Sequence, residues 1–396
     1  MTVADRWLLP DGVEELLPGR AERAEQLRRR LLDVFASWGY ELVMPPLLEF
    51  TDSLLVGLGS DLDLMTFKVT DQLTGRSLGI RADITPQVAR IDAHSLRGDG
   101  PVRLCYAGSV LHTRPKSILA SRSPIQIGAE LYGDAGLASD SEVVLLMLET
   151  LRVAGLSGIT LDLGHVGIYR ALIELAQLDA DAEATLFDAL QRKAPADVAE
   201  VLNRTVRDMQ LRAWLLALSE LQGDFSVLTK ARQLLRDAPV EVTSAIDELV
   251  AVAECVRARM PDVNLYFDLG ELRGYHYHTG LVFAALVSGW GQAVANGGRY
   301  DHIGEVFGRA RPATGFSTDL KTLITLSPED EIRAGGILAP VVNNGAGAEL
   351  SLWQTMQHLR ESGERVISAL PAQPAPAHCD RQLVMVDGQW QVQALN

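Results

Sequence analysis

Between residues 20 and 39 the chain reads RAERAEQLRRRLLDVFASWG, and its apolar residues Leu27, Leu31, Val34, Phe35 and Trp38 fall at i, i+4, i+7, i+8 and i+11. That spacing lines one face of an α-helix, and Gly39 is the expected stop. The next segment, YELVMPPLLEF, is rich in strand formers but broken by Pro45 and Pro46. Proline cannot donate to a ladder, so this strand is expected at an edge or an interface. MTFKVTD, the turn QLTGR and SLGIRADIT predict a hairpin, and a helix then opens at Pro86 with Thr85 as its N-cap. VRLCYAGSVL and SPIQIGAELYG predict paired strands around the basic loop HTRPKSILASRS; DSEVVLLMLETLRVAG predicts a helix and GITLDLGH a strand.

From about 168 to 260 the pattern turns to Ala/Leu-rich helical periodicity, illustrated by Ile246, Leu249, Val250, Ala253 and Val256, and a helical insertion is expected there. Strand texture returns at NLYFDLG and runs through ELRGYHYHTGLVF, AVANGGRYDHIG and ATGFSTDLKTL. The uncharged run from Thr279 to Gly298 approaches membrane-spanning length, but its glycines and the break SGWGQ predict two strands and a turn. After SPEDEIRAGG a fresh strand, helix, strand and hairpin follow. The expected organisation is a core over 1–325 and a small C-terminal α/β domain over 330–396. The pattern is α+β, with an antiparallel sheet flanked by helices.

Composition narrows the classes. With 36 basic against 51 acidic residues the formal charge is −15, the wrong sign for a chain that grips a phosphate backbone, so no nucleic-acid partner is expected. The three cysteines are scattered and form no CxxC, which indicates neither a disulfide framework nor a cysteine zinc site. A cytoplasmic location is expected, with no membrane partner, since MTVADRWLLPDGVEELLP lacks a basic run followed by an apolar one.

No P-loop, GxGxxG or GxSxG is present. Polar side chains instead cluster at Arg81-Ala-Asp83-Ile-Thr85, at His112-Thr-Arg114 with Gln126 through Glu130, at Arg273 through His278, and at Gly297 through Asp301. On a strand, Gln126, Gly128 and Glu130 share a face, and the glycine is expected to leave room for a ligand above the sheet. His276 and His278 have no third ligand at a suitable spacing, so no metal is expected. Arg299 and Asp301 also have a bland reading as a surface ion pair.

Five ordered matches, and a sixth stretch in the place of motif 3, carry a resemblance to histidyl-tRNA synthetase, a class II aminoacyl-tRNA synthetase, over about residues 5–325. WGYELVMPPLLE is similar to motif 1, IRADITPQVARI to the segment after the first hairpin, and GSVLHTRPK with IQIGAELYG to motif 2. LRGYHYHTGLVF and ANGGRYDHI resemble the two histidine signatures, and ATGFSTDLKTL occupies the place of motif 3. The departures are specific. The motif 2 arginine that clamps the ATP α-phosphate falls at Leu111 and its glutamate at Thr113; the motif 3 arginine falls at Thr322, beside Lys321. One such cation is worth on the order of 10³ to 10⁵ in rate, so loss of both implies no adenylation and no catalytic residues.

The amino-acid pocket is kept. The resemblance assigns histidine binding to Asp83, Thr85, Arg114, Gln126, Glu130, Arg273, Tyr277 and His278. A kept pocket with a lost ATP site resembles the regulatory subunits of short-form ATP phosphoribosyltransferase, which act in histidine biosynthesis. That likeness implies a homodimer that assembles with the short catalytic subunit into a hetero-octamer, activates it, and takes part in feedback inhibition by L-histidine, with no cofactor. Two alternatives stand beside it: a working histidine-tRNA ligase, and a class II paralogue serving another complex or acceptor.

Overall fold

The computed structural model describes residues 7–55, 60–115, 120–328, 335–342, 346–371, 374, 376 and 378–395. Parts of the basic loop (116–119) and of the segments around SPEDEIRAGG and PAQPAPA fall outside them. The chain divides into two compact units, Met1–Pro328 and Glu329–Asn396.

The first unit holds strands β1 (Glu41–Leu42), β2 (Leu48–Phe50), β3 (Phe67–Thr70), β4 (Ser77–Ile80), β5 (Val102–Ser109), β6 (Ile125–Tyr132), β7 (Ile159–His165), β8 (Gln222–Gly223), β9 (Asn264–Asp268), β10 (Leu281–Val287), β11 (Ala295–Arg299) and β12 (Ala313–Asp319). Nine of them form one sheet in the order β1-β5-β6-β12-β11-β10-β7-β9-β8, and β2-β4-β3 form a second. Most pairs in the large sheet are antiparallel, but β1 runs parallel to β5 and β7 parallel to β9. The sheet is therefore mixed, not wholly antiparallel. The β7–β9 pair has a clear cause: parallel neighbours need a long crossover, and the helices from Val166–Ala176 to Val240–Arg259 supply it.

The prolines act as read from sequence, since Pro45 and Pro46 separate β1, at the edge of the large sheet, from β2 in the other. Helix Arg20–Ser37 buries Leu27, Leu31 and Phe35 and packs with Leu137–Val153 and Val240–Arg259 on one face of the large sheet. Period-two alternation sorts β6 between the faces: Ile127, Ala129 and Leu131 join this core, whereas Gln126, Gly128 and Glu130 face the other way. The run once open to a membrane reading is the antiparallel pair β10 and β11. Among the described residues no helix is long and apolar enough to cross a membrane.

The second unit has strands β13 (Gly336–Ala339), β14 (Val366–Ser368), β15 (Cys379–Val386) and β16 (Gln389–Ala394) with helix Ala346–Glu361. The sheet order is β14-β13-β15-β16, parallel except for the final hairpin. Ile337, Leu352, Met356 and Leu383 form its own small core.

Candidate functional site

The face of the sheet opposite the main helices carries a buried polar cluster and, beside it, a cavity. The cluster is centred on Glu130 of β6, which is 1% exposed. Its Oε1 accepts hydrogen bonds from Thr85 Oγ1 at 2.9 Å and Tyr106 Oη at 2.9 Å, and its Oε2 accepts from Tyr300 Oη. Burial pushes the carboxyl up to about 8, against three hydroxyl donors that pull it down. Tyr277 stacks on Tyr300 with ring centroids 5.1 Å apart, and its own hydroxyl is buried without a partner among the described residues.

Two expectations change here. Gly128 does leave room above the sheet, but not for a ligand: Tyr106 lies directly across on β5, and a Cβ on Gly128 would come within 2.6 Å of its hydroxyl. The space is filled by the ring that reaches Glu130. Thr85 is also not an N-cap. The helix spans Thr85–Arg90 with Ile84 at the cap position, because the threonine hydroxyl is turned to Glu130 instead.

On the same face of the sheet, toward the Gln126 end of β6, lies a cavity of about 620 Å³. Gln126, Arg273 and His278 line it, together with Asp162, Glu271 and Asp319. Gln126 is fixed at both ends, its Nε2 donating to Asp83 Oδ1 at 2.8 Å and its Oε1 accepting from Ile84 N at 2.8 Å. Asp83 Oδ1 also accepts from Thr85 N at 2.9 Å. Arg273 Nη2 donates to Asp162 Oδ2 at 2.8 Å and meets Glu271 Oε2 at 2.7 Å. Burial raises Asp162 to about 6 even though Arg273 pulls the other way.

Residues 271–280 are not a strand. They form turns ahead of β10, because the amides of Tyr277 and His278 both return to the carbonyl of Gly274 at 2.7 Å, and Gly274 takes φ +65°, which a side chain disfavours. Successive rings then face different neighbours. His276 stacks on Phe187 of helix Ala180–Gln191, while His278 lines the cavity with Nδ1 3.3 Å from the Arg299 carbonyl. Burial holds His278 down to about 4, so it is neutral at pH 7. The two histidines diverge, and among the described residues no group of three His, Cys, Asp or Glu could hold a metal.

Arg170 of helix Val166–Ala176 pins this turn by donating to the carbonyls of Tyr275, His278 and Thr279. Nothing in the sequence pattern pointed to it. Nor did any spacing signal single out Asp162 as the partner of Arg273, 111 positions away. Arg299 and Asp301 are not a surface pair. The guanidinium is buried and donates to Asp140, Asp301, Ser139 and two carbonyls.

At the other end of the cavity Thr322 donates to Asp319, which also accepts from the Ile125 and Lys321 amides. Lys321 is drawn away, its Nζ donating to the Glu14 carbonyl and Ser123. Thr113 donates to the Leu64 carbonyl. Among the described residues Arg273 is the one lysine or arginine in the lining. Arg114 is exposed and does not line the cavity.

The family model of histidyl-tRNA synthetase matches residues 12–323, and that of the ATP phosphoribosyltransferase subunit HisZ C-terminal domain matches 334–393. The ATP phosphoribosyltransferase regulatory subunits of Azotobacter vinelandii and Stutzerimonas stutzeri are 58% and 56% identical to this chain, covering 99% and 100% of each partner. A solved structure described as an ATP phosphoribosyltransferase regulatory subunit/histidyl-tRNA synthetase from Bacillus halodurans superposes with a TM-score of 0.82 at 26% identity over 94% of both chains. The histidyl-tRNA synthetase of Nostoc shares the fold, at TM-score 0.77 and 18% identity over 98% and 97%. A synthetase-like core joined to this C-terminal domain, with relatives of one description along the whole length, places the chain in the family of ATP phosphoribosyltransferase regulatory subunits.

Proposed function

We propose that the chain is a non-catalytic subunit that activates a short ATP phosphoribosyltransferase chain in the first step of histidine biosynthesis, in the cytoplasm. In this reading its homodimer organises a hetero-octamer with the catalytic chains. L-Histidine is the effector, its carboxylate on Arg273 and its polar groups on Gln126 and His278. Asp83 holds Gln126 in place, and Thr85, Glu130 and Tyr277 belong to the buried cluster beside the cavity. Arg114, like Asp83, Thr85, Glu130 and Tyr277, stands outside the lining.

The observation that carries the proposal is the charge of the cavity. A nucleoside triphosphate entering it would meet Asp162, Glu271 and Asp319, while Arg273 is already shared by two of these carboxylates. Like charges about 4 Å apart repel by about 4 kcal/mol at an effective dielectric of about 20. Thr322, Leu111 and Thr113 supply no positive charge where phosphoryl chemistry needs it. A zwitterionic amino acid fits better, since its ammonium offsets the acids that repel a triphosphate, while its single carboxylate competes for the one guanidinium. Binding regulates only if histidine prefers one assembly state over another.

The test has two arms. Purified chain is assayed for histidine-dependent ATP/pyrophosphate exchange, and none is expected; robust exchange would sink the proposal in favour of a ligase. The chain is then titrated into a short-form catalytic subunit, where phosphoribosyl transfer should rise to a stoichiometric plateau and fall again as histidine is added. A catalytic chain indifferent to this protein would leave a paralogue serving another complex.

A further inference from the structure

We propose that Asp162 sets how tightly the cavity holds its effector, by competing as an internal carboxylate for the Arg273 guanidinium that the effector's own carboxylate needs. The inference rests on the reading that histidine binds through Arg273, and it adds a determinant of affinity.

Three observations carry it. Asp162 is a fixed competitor: it lies in the middle of β7, paired with Ala284 of β10 on one side and Tyr266 of β9 on the other, so its backbone cannot withdraw. Arg273, by contrast, stands on a turn with its side chain 52% exposed, and Nη2 meets both acids, while Nε and Nη1 make no hydrogen bond to any described residue. The pair is also incompletely built, because Asp162 Oδ1 is buried and has no partner among the described residues. A guanidinium committed to architecture looks different in this same molecule: Arg299, 8% exposed, uses all three of its nitrogens on five acceptors.

An incoming carboxylate must therefore draw Arg273 off Asp162, and the move strands a largely buried acid without its counter-charge. That cost is subtracted from the affinity. Removing the charge at Asp162 while keeping its shape frees the guanidinium and removes the cost of stranding it. The opposite sign is equally clear. If Asp162 instead receives the effector's ammonium, neutralising it weakens binding.

The full-length chain is titrated with L-histidine by calorimetry as wild type, Asp162→Asn, Arg273→Ala and the double variant. Asp162→Asn should tighten binding about tenfold, the scale of one charge-assisted hydrogen bond, and the gain should vanish in the Arg273→Ala background. Histamine, which has no carboxylate, should gain nothing from Asp162→Asn. An unchanged or weakened affinity in Asp162→Asn, with Arg273→Ala still impaired, would overturn the inference and leave the effector reading intact; an equal gain for histamine would overturn it too. If neither wild type nor Asp162→Asn binds histidine, the effector reading fails and this inference goes with it. Should Asp162→Asn not fold, Glu271→Gln removes the second competitor and should give a smaller gain of the same sign, and no gain from it counts against the proposal.

Discussion

Two arginines from two neighbouring signature stretches meet acids in this protein, and they do opposite things. Arg299 ends β11 and is buried among Asp140, Asp301, Ser139 and two carbonyls, with every nitrogen engaged. Arg273 stands on a cavity wall, half exposed, with one nitrogen divided between Asp162 and Glu271. Saturation and burial mark the first as architecture, since a buried charge survives only where its partners are complete. Incomplete engagement at an open wall leaves the second available to a ligand. Glu130 belongs with Arg299 by the same measure, its oxygens taken by Thr85, Tyr106 and Tyr300. This face of the sheet is thus divided into a locked polar cluster and a cavity wall that can respond.

The largest effect expected from this contrast is at Arg299. Arg299→Ala leaves Asp140, 3% exposed in its side chain, without its counter-charge, and should cost about 3 to 5 kcal/mol of unfolding free energy. Denaturant titration measures it, and a loss below about 1 kcal/mol would erase the distinction between the two arginines. Glu130 comes next and reads out in pH. Its carboxyl is raised from 4.5 to about 8, so between those values the folded state keeps a proton that the unfolded chain has released. Stability attributable to this group is full below about 4.5 and is lost as pH rises toward 8. In Glu130→Gln the amide does not titrate. The stability of the variant relative to wild type should therefore rise by roughly 3 kcal/mol from pH 5 to pH 8. Asp162, raised to about 6, and His278, held down to about 4, titrate in both proteins and cancel in the difference. Parallel profiles would show that Glu130 is ionised in the folded state.

Much of the frame was legible because it rests on local periodicity. The apolar face of Leu27, Leu31 and Phe35, the alternation along β6 and the break at Pro45 and Pro46 each report a neighbour fixed by the element's own geometry. Asp83, Thr85, Gln126 and Glu130 were legible for another reason, since they stand in motifs that keep their order in a known family. What sequence could not supply was distance in three dimensions. Asp162 and Arg273 are brought together by β7 and the turn before β10, with the whole helical insertion between them in the chain. Tyr106 takes the space over Gly128 because of strand register, which no single strand reveals. Likewise, GYHYH has the texture of a strand, but the Gly274 carbonyl draws two amides back and makes a turn. Arg170 was invisible because it acts on carbonyls, which leave no trace in side-chain pattern.

The smallest expected effect on stability is at Arg273, and it is where the contrast is most exposed to failure. The side chain is half in solvent, so its pairs with Asp162 and Glu271 are screened, and truncation removes about 1 kcal/mol or less on their account. What remains is Asp162. Without Arg273 its carboxyl loses its strongest stabilising neighbour and titrates above its present value of about 6. A raised carboxyl costs stability as pH rises through that range, so the loss in Arg273→Ala should be slight near pH 5.5 and grow toward pH 8. Histidine affinity should meanwhile fall by tenfold or more at either pH, roughly the worth of a charge-assisted contact. Calorimetry and denaturant titration on the same preparation separate the two quantities. A variant that loses several kcal/mol at pH 5.5 while binding histidine as wild type does would make Arg273 a second Arg299, and the cavity wall would then be as locked as the cluster beside it.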